Sequence, residues 1–380
     1  MNQNTSKTYA LKEVAGLFLK LGCFAFGGPA AHIAMMEDEV VSKRQWMTRQ
    51  HFLDLVGATN LIPGPNSTEM TMHCGYERAG KTGLFVAGFC FIFPAVAITL
   101  VLAWLYVKYG SLPEIAPFLS GILPAVLAII ASAILKLGIK AIKNTELAIL
   151  GVLILTASLL GVNEVIALIA GGISGGLYFF LKQKSTPTMA IAPFLIVFLS
   201  AETVAKLSAF KIFWTFLKVG SILYGSGYVL FAYLDAELVT AGLLGRPALM
   251  EAIGIGQFTP GPVLSTATFI GYQLGGFWGA VAATIGIFLP SFVFVWVLNP
   301  LIPRMQRSKI LRGFLDSVNV AAVAVMLAVL LVMGKETLVN WQNIVIALIC
   351  GILVFGYKKT SAVLVIIIGI LLGFLLQFLN

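Results

Sequence analysis

Long apolar stretches, parted by short polar interruptions, run through most of this chain. Residues 84–107, 118–135, 165–181, 277–298, 314–333 and 362–379 each approach or exceed the roughly 20 residues that carry a helix across a bilayer core. None shows the two-residue alternation of a strand, so the pattern predicts an all-α polytopic membrane protein and excludes a barrel. Between the long runs lie segments broken by proline and glycine. Ile62-Pro63-Gly64-Pro65 leads into Asn66-Ser67-Thr68, and Thr259-Pro260-Gly261-Pro262 leads into Val263-Leu264-Ser265. Proline removes a backbone donor and clashes with the preceding turn, while glycine permits a reversal. Each triplet therefore predicts a tight turn with a new helix behind it.

The two triplets belong to a longer self-similarity. Phe18-Leu19-Lys20-Leu21-Gly22 matches Phe216-Leu217-Lys218-Val219-Gly220, Phe26-Gly27 matches Tyr224-Gly225, and Glu39 matches Glu237. Asn60 matches Gln257, Gly75-Tyr76 matches Gly271-Tyr272, and Gly80 matches Gly276. The offset drifts only from 198 residues (Phe18 to Phe216) to 196 (Pro94 to Pro290). Such a period means two related halves. The reading divides the chain into an N-terminal repeat 1–185, a connecting apolar segment 186–209 and a C-terminal repeat 210–380.

Loop charges orient the halves. Lys43, Arg44 and Arg49 stand against Arg246 alone, and Arg78 and Lys81 against an uncharged 273–278. After the next helix the bias reverses, Lys108 facing Arg304, Arg307, Lys309 and Arg312. It reverses again with Lys136, Lys140 and Lys143 against Lys335. Basic loops face the cytoplasm, so each pair assigns opposite sides to the halves and predicts inverted-topology repeats. Residues 52–74 then have cytoplasmic loops at both ends and are too short to cross twice. They are expected to dip in and return, as a re-entrant segment, with 249–272 entering from the opposite face. The two tips are expected to meet near the midplane, in a fold of about ten membrane crossings.

A helix start offers free amides and the positive end of a dipole, which suits an anion. Gly64, Asn66, Ser67, Thr68, Gly261, Ser265 and Thr266 lie at those starts, with Asn60 and Gln257 at the opposite lip; together they form the candidate binding set. Lys20 and Lys218 recur in apolar surroundings and are candidates to offset substrate charge. Glu39, Glu237 and Glu69 are candidate proton-coupling carboxylates, with Thr266 standing where Glu69 stands in the first half. Gly27, Gly28, Gly225 and Gly227, with Pro63, Pro65, Pro260 and Pro262, are the expected helix breaks. His32, after the first glycine break, reads as a packed neutral side chain.

Composition narrows the function. The chain is 59% hydrophobic and 11% charged, with a net charge of +9. Basic residues confined to loops report orientation rather than nucleic acid. Four cysteines in or beside apolar runs and three scattered histidines fit no metal or redox pattern. No cofactor, activated nucleophile or catalytic carboxylate pair is read, so an enzyme is not expected. Gly75-Tyr76-Glu77-Arg78-Ala79-Gly80-Lys81-Thr82 copies a phosphate-loop string, yet it follows no strand, and its counterpart lacks the lysine. No signal peptide is expected from Met1-Asn2-Gln3-Asn4-Thr5-Ser6-Lys7.

The same residues resemble the chromate ion transporter family of bacterial membrane proteins. The likeness rests on Phe26-Gly27-Gly28-Pro29-Ala30-Ala31-His32-Ile33, Glu39, Leu61-Ile62-Pro63-Gly64-Pro65 and Phe93-Pro94 in the first half. In the second it rests on Tyr224-Gly225-Ser226-Gly227, Glu237, 257–262, Leu289-Pro290 and 318–323. It implies a two-repeat carrier in the cytoplasmic membrane that exports chromate, with proton exchange and sulfate as further expectations. The partners implied are a small oxyanion and the lipid bilayer, with a homodimer compatible. Tyr224-Gly225-Ser226-Gly227-Tyr228 departs from a common Phe-Gly-Gly-Gly-His run, and Asn60 replaces a frequent glutamine. A gated anion channel on the same scaffold is the competing reading.

Overall fold

A computed structural model describes residues 3–26, 28–59, 62–110, 112, 116–182, 208–224, 229–299, 309–357 and 360–377. These residues form helices and their connections, and none of them forms a strand, as the apolar runs predict. The first half supplies α1 (Gln3–Phe24), α2 (Gly28–Glu37), α3 (Arg49–Thr59), α4 (Asn66–Tyr109), α5 (Ala116–Ser120), α6 (Ile122–Ala141), α7 (Thr145–Leu159) and α8 (Glu164–Lys182). The second supplies α9 (Ala209–Ile222), α10 (Leu230–Leu234), α11 (Arg246–Phe258), α12 (Thr266–Leu298), α13 (Lys309–Thr337), α14 (Trp341–Gly356) and α15 (Ala362–Gln377). Both α2 and α10 run on through a wider π-helical turn, Asp38–Lys43 and Asp235–Val239. Of the expected connecting segment 186–209, all but its last two residues lie outside the described residues.

The Pro-Gly-Pro turns sit where the sequence places them. α3 and α11 run into them; α4 leaves the first directly, and α12 leaves the second after a single 3₁₀ turn, Val263–Ser265. Each outgoing helix then bends back on itself. α4 breaks at Ala79 and Gly80 (φ +65°), and α12 at Gly275 and Gly276 (φ +62°). Behind each break the backbones touch. A Cβ on Gly75 would strike the Gly83 carbonyl, and one on Gly271 the Gly279 carbonyl, so both limbs pack as close antiparallel hairpins. The limb 66–78 is about 20 Å long at 1.5 Å per residue, short of the roughly 30 Å hydrocarbon core.

The halves pack through equivalent helices. Residues 81–109 of α4 run antiparallel to the second limb of α12. Lys81 lies over the Trp296 ring and Phe85 stacks on Phe292, four residues later in one helix and four earlier in the other, while Tyr106 packs on Phe269 of the first limb. α7 and α8 lie on α13, and reciprocally α14 and α15 lie on α6. Lys143, just past the end of α6, pairs at 2.6 Å with Asp316 near the start of α13, so these equivalents also run head to tail. Among the described residues, Asn66–Tyr109, Phe118–Ala141, Val263–Leu298 and Arg312–Thr337 are long and apolar enough to cross a membrane. Four shorter apolar helices accompany them. Large apolar side chains such as Phe89, Trp278 and Leu348 stand on the outside, as they do where lipid is the solvent.

Candidate functional site

Helices α1 and α9 stop short, leaving terminal carbonyls without intrahelical partners. The opposite half's turn supplies the missing donors. The Gly64 amide donates to the Leu223 carbonyl at 2.6 Å, and the Gly261 amide donates to the Ala25 carbonyl at 2.9 Å. Ala25 and Leu223 are repeat equivalents, so the exchange is reciprocal. The open sides of the two glycines face equivalent places as well. Gly64 faces Ser291, and a Cβ on Gly261 would lie 3.1 Å from Ala95, each of these residues directly following the mid-helix proline of the other half. The tips expected to face one another thus each dock on the opposite repeat.

Polar side chains gather where the turns dock. His32 is bonded through both ring nitrogens, Nδ1 to Ser67 Oγ at 3.3 Å and Nε2 to the Ala25 carbonyl at 3.0 Å. Because Ala25 also receives the Gly261 amide, His32 ties the start of α4 to the second turn. Thr99 donates to Thr259 across the halves at 3.2 Å. Thr266 turns its hydroxyl to the Val263 carbonyl at 2.8 Å. Thr68 Oγ1, both Glu69 oxygens, Gln257 Nε2, Ser265 Oγ and Ser291 Oγ are buried with no hydrogen-bond partner among the described residues. Buried polar atoms are nearly always bonded, so a group of them around two turns marks a place built for something else.

A small cavity lies against the second turn. Gln257, Thr259 and Gly261 line it on one side, and Gly28, Ala362 and Val363 on the other. It has room for about one water molecule. Gly28 opens α2 and Ala362 opens α15, so two helix starts besides that of Val263–Ser265 converge there, and their amides and dipoles favour negative charge. The sequence reading left out Ser291, Ala362 and Val363. Ser361 gives the only local sign, an N-cap serine before an apolar run; its hydroxyl accepts from the Leu364 amide.

Of the charged candidates only Glu69 reaches a turn, its carboxyl lying against Gly64; the others pair with each other. Lys20 meets Glu39 at 3.4 Å, and Lys218 meets Glu237 at 2.6 Å. A second matched pair joins Glu37 to Arg49 and Asp235 to Arg246, both at 2.8 Å. Lys43 and Arg44 add to Glu39, and Arg44 and Arg78 share Glu13, each close to the Trp46 ring, at 5.9 and 5.7 Å from its centre. Lys20, expected within apolar surroundings, is well exposed. Glu251, beside the second turn, binds the Tyr106 hydroxyl. Asn66 opens α4. Asn60, Gly27, Gly225 and Gly227 lie outside the described residues. No cluster of three or more metal-ligating side chains occurs among the described residues.

Apolar helices, a doubled architecture and a polar centre define a multi-pass membrane protein of the transporter class. The family model described as Chromate transporter matches residues 12–177 and again 210–374, and the chain belongs to that family. The chain is 29% identical to the Chromate transport protein of Cupriavidus metallidurans, over 97% of this chain and 94% of that one. It is 28% identical to the Probable chromate transport protein of Synechococcus elongatus, over 96% and 95%. An uncharacterised transporter of Bacillus subtilis is 23% identical over 42% of this chain but 92% of its own length, so one half corresponds to a whole protein there. No solved structure matches the chain. The family is one of transporters rather than enzymes.

Proposed function

We propose that the protein is a secondary active carrier that exports chromate, or a related tetrahedral oxyanion such as sulfate, across the bacterial cytoplasmic membrane, coupled to protons. Two repeats, 1–185 and 210–380, form the carrier in opposite orientations. The antiparallel packing of equivalent helices supports that inversion, because a two-fold axis in the membrane plane reverses every helix it relates. The re-entrant reading draws support from the short limbs on either side of each turn.

The observation that carries the proposal is the reciprocal docking of two Pro-Gly-Pro turns, surrounded by buried donors with nothing to bind. Ser67, Thr68, Ser265, Thr266, Gln257 and the amides around Gly64, Asn66 and Gly261 hold the oxyanion's oxygens in this reading, with Asn60 equivalent to Gln257. Lys20 and Lys218 set the electrostatic background through Glu39 and Glu237, and the coupling proton is carried by one of the candidate acids Glu39, Glu237 and Glu69. Close packing leaves no room for a tetrahedral dianion beside Gln257, so binding requires the docked turns to part, the motion that exposes such a site alternately to either side. The test is chromate uptake into everted vesicles with and without a proton gradient. Gradient-dependent accumulation that falls in Ser67→Ala and Ser265→Ala is the expected result. Accumulation unchanged in both variants removes the site, and flux that never accumulates substrate makes the protein a channel.

A further inference from the structure

The two turns differ at one place with electrostatic consequences. Glu69 stands four residues beyond Pro65, and Thr266 four beyond Pro262. The Glu69 side chain is fully buried, its carboxyl lies against Gly64 beside Ser291, and neither oxygen is bonded among the described residues. At the second turn that place holds a threonine satisfied by its own backbone, and the unbonded groups nearby, Gln257 Nε2 and Ser265 Oγ, are neutral. The second turn also has the cavity and the converging helix starts. Both turns therefore hold unbonded hydroxyls, but the first alone adds an acid, while the second holds only neutral groups.

Among the described residues, little near Glu69 neutralises it. Tyr224, after α9, is a phenol that interacts with it. His32 of α2 is engaged by Ser67 and Ala25, and His73, a turn further along α4, by Asn299. On α1, Lys20 is held by Glu39 and Glu13 by arginines, while Lys7 and Lys12 are exposed. On α3, Arg49 pairs with Glu37, His51 with Glu77, and Asp54 accepts from Gln50. α12 contains no charged residue. The turns are nevertheless close in bonding terms. The Gly261 amide and His32 share the Ala25 carbonyl, and His32 reaches Ser67, two residues before Glu69.

Building on the oxyanion-carrier reading, we propose that one oxyanion binds at the second turn, on Gln257, Ser265 and the helix starts around them, and that Glu69 is the proton site linked to it. A dianion there and a carboxylate at the first turn repel through an interior that screens weakly. Protonating Glu69 removes the repulsion. Proton and oxyanion then favour each other's binding by the same factor, as linkage requires. They cross together as a net monoanion, which a membrane potential negative inside drives outward, in place of the proton exchange that the resemblance implies. Glu39 and Glu237, each held by a lysine, are structural in this scheme.

The experiment is proton uptake on binding, followed with a pH-indicator dye on the full-length purified protein in weakly buffered detergent solution. Mildly alkaline conditions keep sulfate and chromate themselves unprotonated. The wild type is expected to take up protons as either oxyanion saturates it. Glu69→Gln is expected to take up none and to bind about tenfold more tightly at alkaline pH, without the wild type's loss of affinity as pH rises. Proton release, oxyanion binding with no proton change in the wild type, or undiminished uptake in Glu69→Gln would overturn the proposal. The wild-type measurement stands alone if Glu69→Gln does not fold, and Glu69→Thr, which copies the second turn, repeats the comparison. A wild type that binds neither oxyanion overturns the carrier reading itself, a result distinct from binding without proton uptake.

Discussion

Gly261 and Gly80 both adopt positive φ, but only one of them is crowded. Gly261 (φ +84°) has Ala95 and the backbones of Gly22 and Phe91 against its open side, whereas nothing lies near Gly80 (φ +65°). With ψ at −154° Gly80 sits in a region that essentially only glycine adopts, so Gly80→Ala carries that backbone penalty alone, about 1–3 kcal/mol. Gly261→Ala adds tight contacts, 3.1 Å to Ala95 and 3.3 Å to the Gly22 carbonyl, that must ease by a few tenths of an ångström, and is expected to lower the unfolding midpoint in detergent beyond Gly80→Ala. Equal midpoints would mean that the docked turn contributes nothing to the folded state. The two matched lysine–glutamate pairs make a second comparison. Side-chain exposure is 61% for Lys20 but 23% for Lys218. Solvent screens the first pair more. A double-mutant cycle on thermal stability should give a coupling energy for Lys218–Glu237 above that for Lys20–Glu39, which is expected below about 1 kcal/mol.

At the scale of elements, much was legible because proline and glycine act locally. Pro63-Gly64-Pro65 and its partner announced a turn with a helix behind it, and both are present. The repeat matched Gly80 to Gly276 without showing that each breaks a helix, since a lone glycine inside an apolar run is compatible with a straight span. The partners of Lys20 and Glu39, nineteen residues apart across a helix break, were not legible, because such a contact depends on how the broken helix packs. The docking of each turn on the opposite half escaped the sequence for the same reason. It joins residues more than 150 positions apart through backbone groups that carry no residue-specific signal. The helical hairpins yield a test of their own. A side chain on Gly279 would meet the Gly271 carbonyl, so Gly279→Val forces the limbs of α12 apart. Its monodisperse yield in size-exclusion chromatography should collapse, while Gly276→Ala, at an open position, keeps most of the wild-type yield.

For the whole molecule, inversion is the property from which alternating exposure follows, and loop charge and helix packing argue for it independently. In the proposed topology Lys136, Lys140 and Lys143 assign the end of α6 to the cytoplasm, and Lys143 holds Asp316 near the start of α13, behind the other strongly basic loop. Both basic ends therefore lie together, as two oppositely mounted copies require. The loops after α6 and after α13 are repeat equivalents and must then open on opposite sides. Thr145 and Asn340 are exposed at those loops. In a background with Cys23 and Cys90 replaced by alanine, Thr145→Cys should resist a membrane-impermeant maleimide applied to intact cells and react once the membrane is opened. Asn340→Cys should react from outside at once. Labelling of both from one side would make the halves parallel, and a parallel pair cannot present its two turns from opposite leaflets.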